Sequence, residues 1–369
     1  MIKHRGDTPQ RGIAGVGQGV GRKWATVVVD ERAVQLRDWY RGVSGDDRAE
    51  LVCVSGDASF RRYFRVPGLD GSTIVVDSPP QKEKNAEFVA VTRLLQDLGV
   101  RVPALRAVNL EDGFLALEDL GDQLLLPLLD ERSAEGYYRQ ACGLLESLAL
   151  VDTADIALPA YDLALLGSEM DLFCDWFCGG FLQLDPAEVH AGPYGDYRRA
   201  LCERALAQPR ALVHRDFHAR NIMVLDDGTL ALIDYQDAVL GPLSYDLVSL
   251  LRDCYVRWPD EQVRAWALAH RQRLVERGLA VAEPEAFLTD FDWMGLQRHT
   301  KVLGIFARLL LRDGKDGYLG DLPRVLSYVR ATLGSYRDDA ALGPFARWLE
   351  EIVMPRVLQQ PWYTPEPES

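Results

Sequence analysis

The sequence predicts an α+β fold of two lobes, with a small antiparallel β-sheet first and a large helical part after it. Residues 51–118 carry short apolar runs separated by turn residues, which is the pattern of antiparallel strands. After residue 130 the apolar residues recur with helical spacing. A chain of 369 residues with 48% hydrophobic content is long enough to build two such lobes. We therefore expect a disordered extension over 1–29, an N-lobe over 30–120 and a helical C-lobe over 121–369.

The predicted elements of the N-lobe follow from local signals. Asp30 can cap a helix that carries Leu36 and Trp39. The run "NAEFVAVTRLLQDLG" (85–99) places Phe88 and Leu95 on one helical face and ends at a glycine. The predicted strands are "LVCVS" (51–55), "FRRYFRV" (60–66), "STIVVDS" (72–78) and the run that opens "GFLALEDLG" (113–121).

The C-lobe is predicted to be helical apart from one hairpin near residues 220–235. Its two short apolar segments, "NIMVL" and "TLALID", are joined by the turn "DDG". The predicted helices are 133–150, 161–183, 194–207, 244–256, 260–277, 284–311 and 321–354.

The bulk composition excludes several classes of function. A formal net charge of −14 does not suit nucleic-acid binding, which needs a basic surface. No run of 18 apolar residues indicates a membrane span. Six cysteines in a chain of this length do not indicate a disulfide framework. We therefore expect a cytoplasmic protein without a nucleic-acid or membrane partner. The sequence leaves the oligomeric state open, and a monomer is the expectation.

One stretch concentrates groups that can carry chemistry, "VHRDFHARNIMVLDDGTLALIDYQDAVLGPLSYDLVSLL" (213–251). Asn221 opens one hairpin strand and Asp234 closes the other, so the hairpin should place them side by side. Asp216 lies on the loop just before. Amide and carboxylate oxygens are ligands that Mg²⁺ prefers, and a further carboxylate can orient a hydroxyl toward a γ-phosphate. The order Asp-x-x-x-x-Asn with a later Asp is typical of kinase catalytic loops.

A purely structural interpretation exists for single residues of this stretch. Asp216 and Asn221 could cap loops, and His214 is expected to be a buried support of the loop rather than a base. Four features in one order make chance a poor explanation. They are His-x-Asp, the Asn five residues after that Asp, Asp234, and Asp246 at the start of the apolar helix "YDLVSLL".

The stretch resembles the aminoglycoside phosphotransferase family, which shares the two-lobed protein-kinase-like fold. Further blocks are similar to one branch of it, among them "GDASFRRYFRV", "IVVDSPP", "GFLALEDLG", "LPAYD" and "HTKVLGIFARLLLRDGKDGYLGDLPR". That branch comprises bacterial anomeric kinases that phosphorylate N-acetylmuramate and N-acetylglucosamine at C1 in peptidoglycan recycling. The resemblance covers about residues 30 to 360. It implies an ATP- and Mg²⁺-dependent kinase of a small amino sugar, with the N-lobe covering the nucleotide.

The resemblance implies a role for each matched residue. Asp216 would orient or deprotonate the sugar hydroxyl, Asn221 and Asp234 would bind Mg²⁺, and His214 and Asp246 would brace the catalytic loop. The residues implied to contact ATP are those of the phosphate loop and of the connector between lobes: Ser59, Phe60, Arg61, Arg62, Glu118, Asp119 and Leu120. An outward strand face is the competing interpretation for the two arginines.

The sequence also departs from the family pattern. The third strand reads "IVVDSPP", so the usual phosphate-binding lysine is missing and Asp77 stands near its place. Arg61, Arg62, Lys82 and Lys84 are candidates for the replacement cation. The second metal motif reads Asp-Tyr-Gln in place of Asp-Phe-Gly, so a Phe-driven switch is not expected.

Candidates for the acceptor site come from residue chemistry, because aromatic faces suit sugar rings and carboxylates suit hydroxyls. They are Asp175, Trp176, Arg220, Gln236, Asp237 and Arg252. Core packing is the competing interpretation for Trp176. Arg220 or Arg252 could meet the carboxylate of N-acetylmuramate. Rival functions are phosphorylation of another small hydroxyl acceptor (an aminoglycoside, choline or homoserine) and a non-catalytic kinase-like binding module.

Overall fold

The structure, a computed structural model, describes residues 30–56, 60–68, 71–152 and 157–365. It confirms the predicted fold class, an antiparallel sheet of five strands followed by a mainly helical part. The predicted extension over 1–29 lies outside the described residues, as does Ser59 of the proposed phosphate loop.

The N-lobe is a sheet with strand order β1-β2-β3-β5-β4 and antiparallel pairing throughout. Its strands are β1 (Val52–Gly56), β2 (Arg62–Val66), β3 (Thr73–Asp77), β4 (Leu105–Asn109) and β5 (Phe114–Glu118). The helix α1 (Glu31–Ser44) covers one face, and α2 (Asn85–Asp97) lies on the other. The sequence patterns did not predict β4, whose residues are mostly half-buried without clear alternation.

The two ends of α1 follow from its capping residues. The Asp30 carboxylate accepts a hydrogen bond from the Ala33 N–H at 3.1 Å, as predicted. At the other end Gly45 has a φ of 72°, a left-handed conformation that glycine adopts at little cost. Leu36, on the inner side of the helix, is buried with Phe64 of β2.

The C-lobe surrounds a long central helix, α9. Its helices are α3 (Ala134–Ala149), α4 (Leu163–Leu172), α5 (Pro186–Ala191), α6 (Tyr194–Ala207), α7 (Tyr245–Leu251), α8 (Asp260–Glu276), α9 (Pro284–Asp313), α10 (Leu322–Ser335), α11 (Leu342–Trp348) and α12 (Met354–Val357). The helix predicted over 161–183 is α4 continued by a π-helical segment, Phe173–Phe181. The helix predicted over 321–354 is broken between Ser335 and Leu342, and α5 was not predicted.

Two small two-stranded sheets hold the loop that carries Asp216. The strand β6 (Arg210–Val213) pairs with β9 (Val239–Pro242), which the sequence patterns did not predict. The predicted hairpin is present as β7 (Ile222–Val224) and β8 (Leu230–Leu232). The loop between β6 and β7 is therefore fixed at both ends. Within the described part of the chain, no helix has the length and apolar character needed to span a bilayer.

Candidate active site

The three oxygen-bearing side chains singled out in the sequence come together at one place. Nδ2 of Asn221 donates to the main-chain oxygen of Asp216 at 3.0 Å and lies 3.5 Å from Oδ2 of Asp234. All three residues line one cavity. The hairpin therefore brings its two ends together beside the loop, as its short turn requires.

The backbone around these residues is held in an unusual conformation. Arg215 has a φ of 76° and Asp234 a φ of 65°, and non-glycine residues adopt this region at a cost of about 1–3 kcal/mol. Asp246, at the start of α7, accepts hydrogen bonds from the N–H groups of His214 (2.6 Å) and Arg215 (3.0 Å). Nε2 of the buried His214 contacts the main-chain oxygen of Ile233 at 3.0 Å. These bonds tie α7 and the end of β8 to the loop.

Positive charge surrounds the Asp216 carboxylate. Burial would raise its pKa, but neighbouring charges, of which Lys301 contributes most, lower that pKa to about 2. Lys301 is itself buried in α9 and forms an ion pair with Glu169 at 3.0 Å. Glu169 also pairs with Arg215, which precedes Asp216 in the loop. Asp216 is therefore a stable carboxylate at neutral pH.

The cavity has a volume of about 660 Å³ and lies between the sheet and the helical part. Asp216, Asn221 and Asp234 line it together with residues of the N-lobe sheet, the connector after β5, α2 and the C-lobe. The other lining residues used below are Tyr63, Ile74, Glu118, Asp119, Leu120, Arg220, Gln236, Tyr255 and Tyr318. A cavity of this size accommodates a small cofactor and a small acceptor.

The connector that begins at the end of β5 lies along this cavity through Glu118, Asp119 and Leu120. Ion pairs fix the connector on both sides. Glu118 pairs with Arg101 at 2.6 Å, and Arg65 of β2 pairs with Asp119 at 2.5 Å. These pairs engage the acidic side chains, so recognition of a ligand along the connector would depend on its main chain.

The side chains of β3 alternate between the two faces of the sheet. Alternation along β3 turns Ile74 and Val76 toward α2 and the cavity side, where Val76 is packed in the main core. Asp77 therefore points to the opposite face, where it is buried and pairs with Arg32 of α1. Arg62 of β2 also pairs with Asp77, at 2.6 Å. Arg62 is thus turned toward α1, in agreement with the competing interpretation of an outward strand face.

Arg61 and Phe60 lie next to the start of α2. The Arg61 guanidinium is buried, 3.3 Å from the Glu83 carboxylate and 5.3 Å from the centre of the Phe88 ring. The N–H of Phe60 donates to Glu83 at 3.0 Å, but the Phe60 ring is exposed and lies under Lys82. Neither residue is part of the cavity lining.

Three of the acceptor candidates stay close to Asp234. Gln236 lines the cavity, and its Nε2 donates to Oδ1 of Asp234 at 2.8 Å. Asp237 pairs with Lys84 at the start of α2, at 2.6 Å, and so connects the two lobes. Arg220 is exposed and lines the cavity. These positions put Gln236 and Arg220 within the volume that a ligand would occupy.

The other three candidates lie elsewhere. Asp175 is exposed and Trp176 packs against the core on the π-helical segment, and neither lines the cavity. Arg252 is buried, with ion pairs to Asp292 (2.8 Å) and Asp260 (3.1 Å). These three residues were predicted from residue type and spacing along the chain. Spacing does not show which face of a helix is buried or which charged residues the packed helices enclose.

Several residues near the site escaped the sequence patterns. Lys301 is one of them, and its ion-pair partner Glu169 lies 132 positions earlier in the chain. Tyr255 and Tyr318 reach the cavity from the segments that follow α7 and α9. One signal was available for Lys301. A lysine within the apolar run "HTKVLGIF" is buried only with a partner, which points to an enclosed acid.

The chemistry of Asn221 and Asp234 suits a divalent cation. Nδ2 of Asn221 is engaged with the loop, so its amide oxygen is the atom that can bind a cation, beside the Asp234 carboxylate. Mg²⁺ is commonly held by one or two such protein groups and completed by phosphate oxygens.

A two-lobed fold whose cleft holds an Asp, an Asn and a second Asp in this arrangement defines a phosphotransferase of the kinase-like class. The profile of the phosphotransferase enzyme family matches residues 50–284, and the chain belongs to that family. It is an ATP-dependent phosphotransferase that acts on a hydroxyl group.

Comparison with known proteins gives relatives over most of the chain. It is 40% identical over 321 residues to an N-acetylmuramate/N-acetylglucosamine kinase of Pseudomonas putida, covering 86% of this chain and 93% of the relative. A protein of the same name from Neisseria meningitidis is 37% identical, covering 88% and 96%. The crystal structure of a choline kinase from Streptococcus pneumoniae superposes with a TM-score of 0.58 at 14% identity, covering 80% of this chain and 99% of that one. This last likeness concerns the fold alone.

Proposed function

We propose that this protein phosphorylates the anomeric C1 hydroxyl of N-acetylmuramate, N-acetylglucosamine or both, with ATP and Mg²⁺, in peptidoglycan recycling. The observation that carries the proposal is that Asp216, Asn221 and Asp234 line the same cavity. Nδ2 of Asn221 lies 3.0 Å from the main-chain oxygen of Asp216 and 3.5 Å from Oδ2 of Asp234. The names of the relatives from Pseudomonas putida and Neisseria meningitidis supply the choice of acceptor.

Asp216 acts on the acceptor hydroxyl. Its ionised carboxylate accepts a hydrogen bond from the C1 hydroxyl and orients the oxygen toward the γ-phosphorus. Because the pKa of Asp216 is lowered to about 2, the group is a weak base and does not remove the proton before the new bond forms. As the oxygen–phosphorus bond forms and the bond to ADP breaks, the hydroxyl proton passes to the carboxylate.

Asn221 and Asp234 hold the metal through their amide and carboxylate oxygens. A bound Mg²⁺ neutralises charge on the phosphate oxygens. Gln236 donates to Oδ1 of Asp234 at 2.8 Å and so keeps that carboxylate in place. The left-handed conformation of Asp234, with its φ of 65°, aims the side chain toward the cavity.

The nucleotide base lies along the connector. Glu118 and Asp119 are held by arginine ion pairs, which leaves the main chain through Leu120 to recognise adenine. Tyr63 and Ile74 of the sheet also line the cavity.

The decisive experiment combines turnover and product analysis. ADP release is measured with both sugars and with an aminoglycoside, choline and homoserine, and the product is then examined by phosphorus NMR. Phosphate on C1 couples to the anomeric proton. Phosphate on another carbon, or turnover only with a non-sugar acceptor, would contradict the proposal.

The variant Asp216→Asn tests the role of the carboxylate. We expect kcat to fall by about 10²- to 10⁴-fold with little change in ATP affinity, since the amide keeps the size but not the charge. Unchanged ATP turnover in this variant would favour the binding-module alternative.

The cellular setting is part of the same proposal. A cytoplasmic enzyme would meet sugars recovered from the cell wall, and the net charge of −14 does not suit a nucleic-acid partner. We expect a monomer, which sedimentation velocity would test.

A further inference from the structure

Arg220 is one of two arginines among the described residues that line the cavity. The guanidinium carbon of Arg220 lies 3.6 Å from the centre of the Tyr255 ring, which is a close cation–π contact. Tyr255 is held in turn, because its N–H donates to Asp253 at 2.9 Å and its ring meets His218 edge-on. Arg220 is therefore exposed to the cavity, with its guanidinium group over the Tyr255 ring.

Arg220 differs from the other arginine that lines the cavity. Arg65 is engaged by Asp119 and Asp122 in ion pairs of 2.5 and 2.8 Å. Arg220 has no ion-pair partner among the residues that the structure describes. Its planar group can therefore accept an anion from the ligand, and an arginine fork matches a carboxylate in two parallel hydrogen bonds.

The loop geometry places this arginine beside the reacting groups. Arg220 precedes Asn221, and the loop is compact, since the His218 N–H donates to the main-chain oxygen of Asp216 at 3.0 Å and the Asn221 N–H to that of His218 at 2.8 Å. A sugar whose C1 hydroxyl meets Asp216 would thus lie next to the Arg220 side chain.

We propose that Arg220 is the specificity-determining residue that binds the lactyl carboxylate of N-acetylmuramate. The inference rests on the proposed function and names the group that separates its two acceptors. N-acetylglucosamine carries a hydroxyl at C3, where N-acetylmuramate carries a lactyl ether with one carboxylate. Arg220 gives the acid-bearing sugar an additional charged contact that the neutral sugar lacks.

The test compares three acceptors at saturating ATP in the variants Arg220→Ala and Arg220→Lys, and KM for ATP is measured in the same variants. They are N-acetylmuramate, its uncharged methyl ester and N-acetylglucosamine. Loss of a hydrogen bond to a charged group corresponds to about 10- to 100-fold. We expect kcat/KM for N-acetylmuramate to fall by that factor in Arg220→Ala, and to fall far less for the two neutral sugars. Arg220→Lys should keep part of the kcat/KM for N-acetylmuramate, because lysine retains the positive charge but not the two parallel N–H donors of arginine.

Arg139 offers a matched control. It is exposed on α3, away from the cavity, and pairs only weakly with Glu135 in the preceding helical turn. Arg139→Ala should leave all three acceptors unchanged. Direct titration of N-acetylmuramate into Arg220→Ala, followed by calorimetry, gives a readout that does not depend on turnover.

Two results would overturn the inference about Arg220 alone. Equal losses for all three acceptors would give the residue a general structural role through Tyr255. A raised KM for ATP with an unchanged ratio among the sugars would place Arg220 on the nucleotide phosphates. If the unaltered enzyme phosphorylates neither amino sugar, the proposed function fails, and the inference fails with it.

Discussion

Replacing Glu169 by glutamine should cost a large part of the stability of the C-lobe. Glu169 is 6% exposed and forms ion pairs with Arg215 and Lys301, and Tyr161 donates a hydrogen bond to it. Glutamine has the same shape, so Glu169→Gln removes the charge without opening a cavity. The buried Lys301 and the half-buried Arg215 then remain without their shared partner.

The expected loss follows from the burial of that partner. Removing one member of a buried ion pair costs about 3–5 kcal/mol. With an unfolding entropy of about 2.1 cal/mol/K per residue, a chain of 369 residues should lose about 4–6 °C in Tm. Differential scanning calorimetry and urea titration would measure it. Glu350→Gln breaks an exposed ion pair with Arg330 and should cost less than about 1 kcal/mol.

A second variant separates charge from packing. Burial lowers the pKa of Lys301, but Tyr245 and Glu169 raise it above its usual value. The double variant Glu169→Gln, Lys301→Met removes one unpaired cation and should be more stable than Glu169→Gln alone. If Glu169→Gln costs no more than Glu350→Gln, or if the double variant is the less stable of the two, the reasoning about this cluster is refuted.

Three further outcomes are expected. Burial lowers the pKa of His270, and of two other histidines, from 6.5 to about 3. As the pH falls, these histidines are therefore protonated in the unfolded chain before they are protonated in the folded protein. The free energy of unfolding then decreases below pH 6.5, by up to about 1.4 kcal/mol per pH unit for each histidine. Urea titrations between pH 7 and 5 should show a shallower loss for His270→Gln, and an identical loss would contradict this. Gly304→Ala should destabilise the protein by about 3 kcal/mol, since the new Cβ would lie 2.3 Å from the backbone at the end of α4. Gly143→Ala has open space around the new Cβ and should be neutral or stabilising. Differential scanning calorimetry would measure both. Lys84→Ala should raise KM for ATP about tenfold, because Lys84 is an exposed cation that reaches the metal-binding segment. Lys82→Ala should leave KM for ATP unchanged. Equal ATP kinetics in the two variants would contradict a phosphate-binding role for Lys84.

The parts of the fold that local chemistry determines were predictable from the sequence. Asp30 caps α1, the turn "DDG" closes the hairpin, and α6 spans the predicted residues 194–207. The strands β4 and β9 were missed because their residues lack alternation and pair only through tertiary contacts. The π-helical segment after α4 also has no distinct sequence pattern, because its residues keep helical spacing.

The candidate site divides in the same way. Asp216, Asn221 and Asp234 lie within 19 positions and are joined by one hairpin, so their meeting could be predicted. Arg252 and Lys301 show the limit of such reasoning. Arg252 follows the end of α7 and Lys301 lies within α9, and only the tertiary packing shows that both are enclosed with acids. Long-range ion pairs depend on the tertiary fold, which spacing along the chain does not encode.

The contacts of Tyr235 bear on how this enzyme can be controlled. Tyr235 stacks on Phe88 at 5.2 Å, and its hydroxyl lies 3.0 Å from that of Thr92, so the residue after Asp234 is fastened to α2. An outward movement of the Asp-Tyr-Gln motif would break the stacking of Tyr235 on Phe88 and leave the buried Thr92 hydroxyl without this hydrogen-bond partner. We therefore expect the reaction rate to depend on the concentrations of sugar and ATP rather than on a covalent modification that switches the enzyme on or off. Inhibitors that bind only when this motif is displaced should therefore bind poorly to this enzyme. The acceptor site is the better target for inhibitor design.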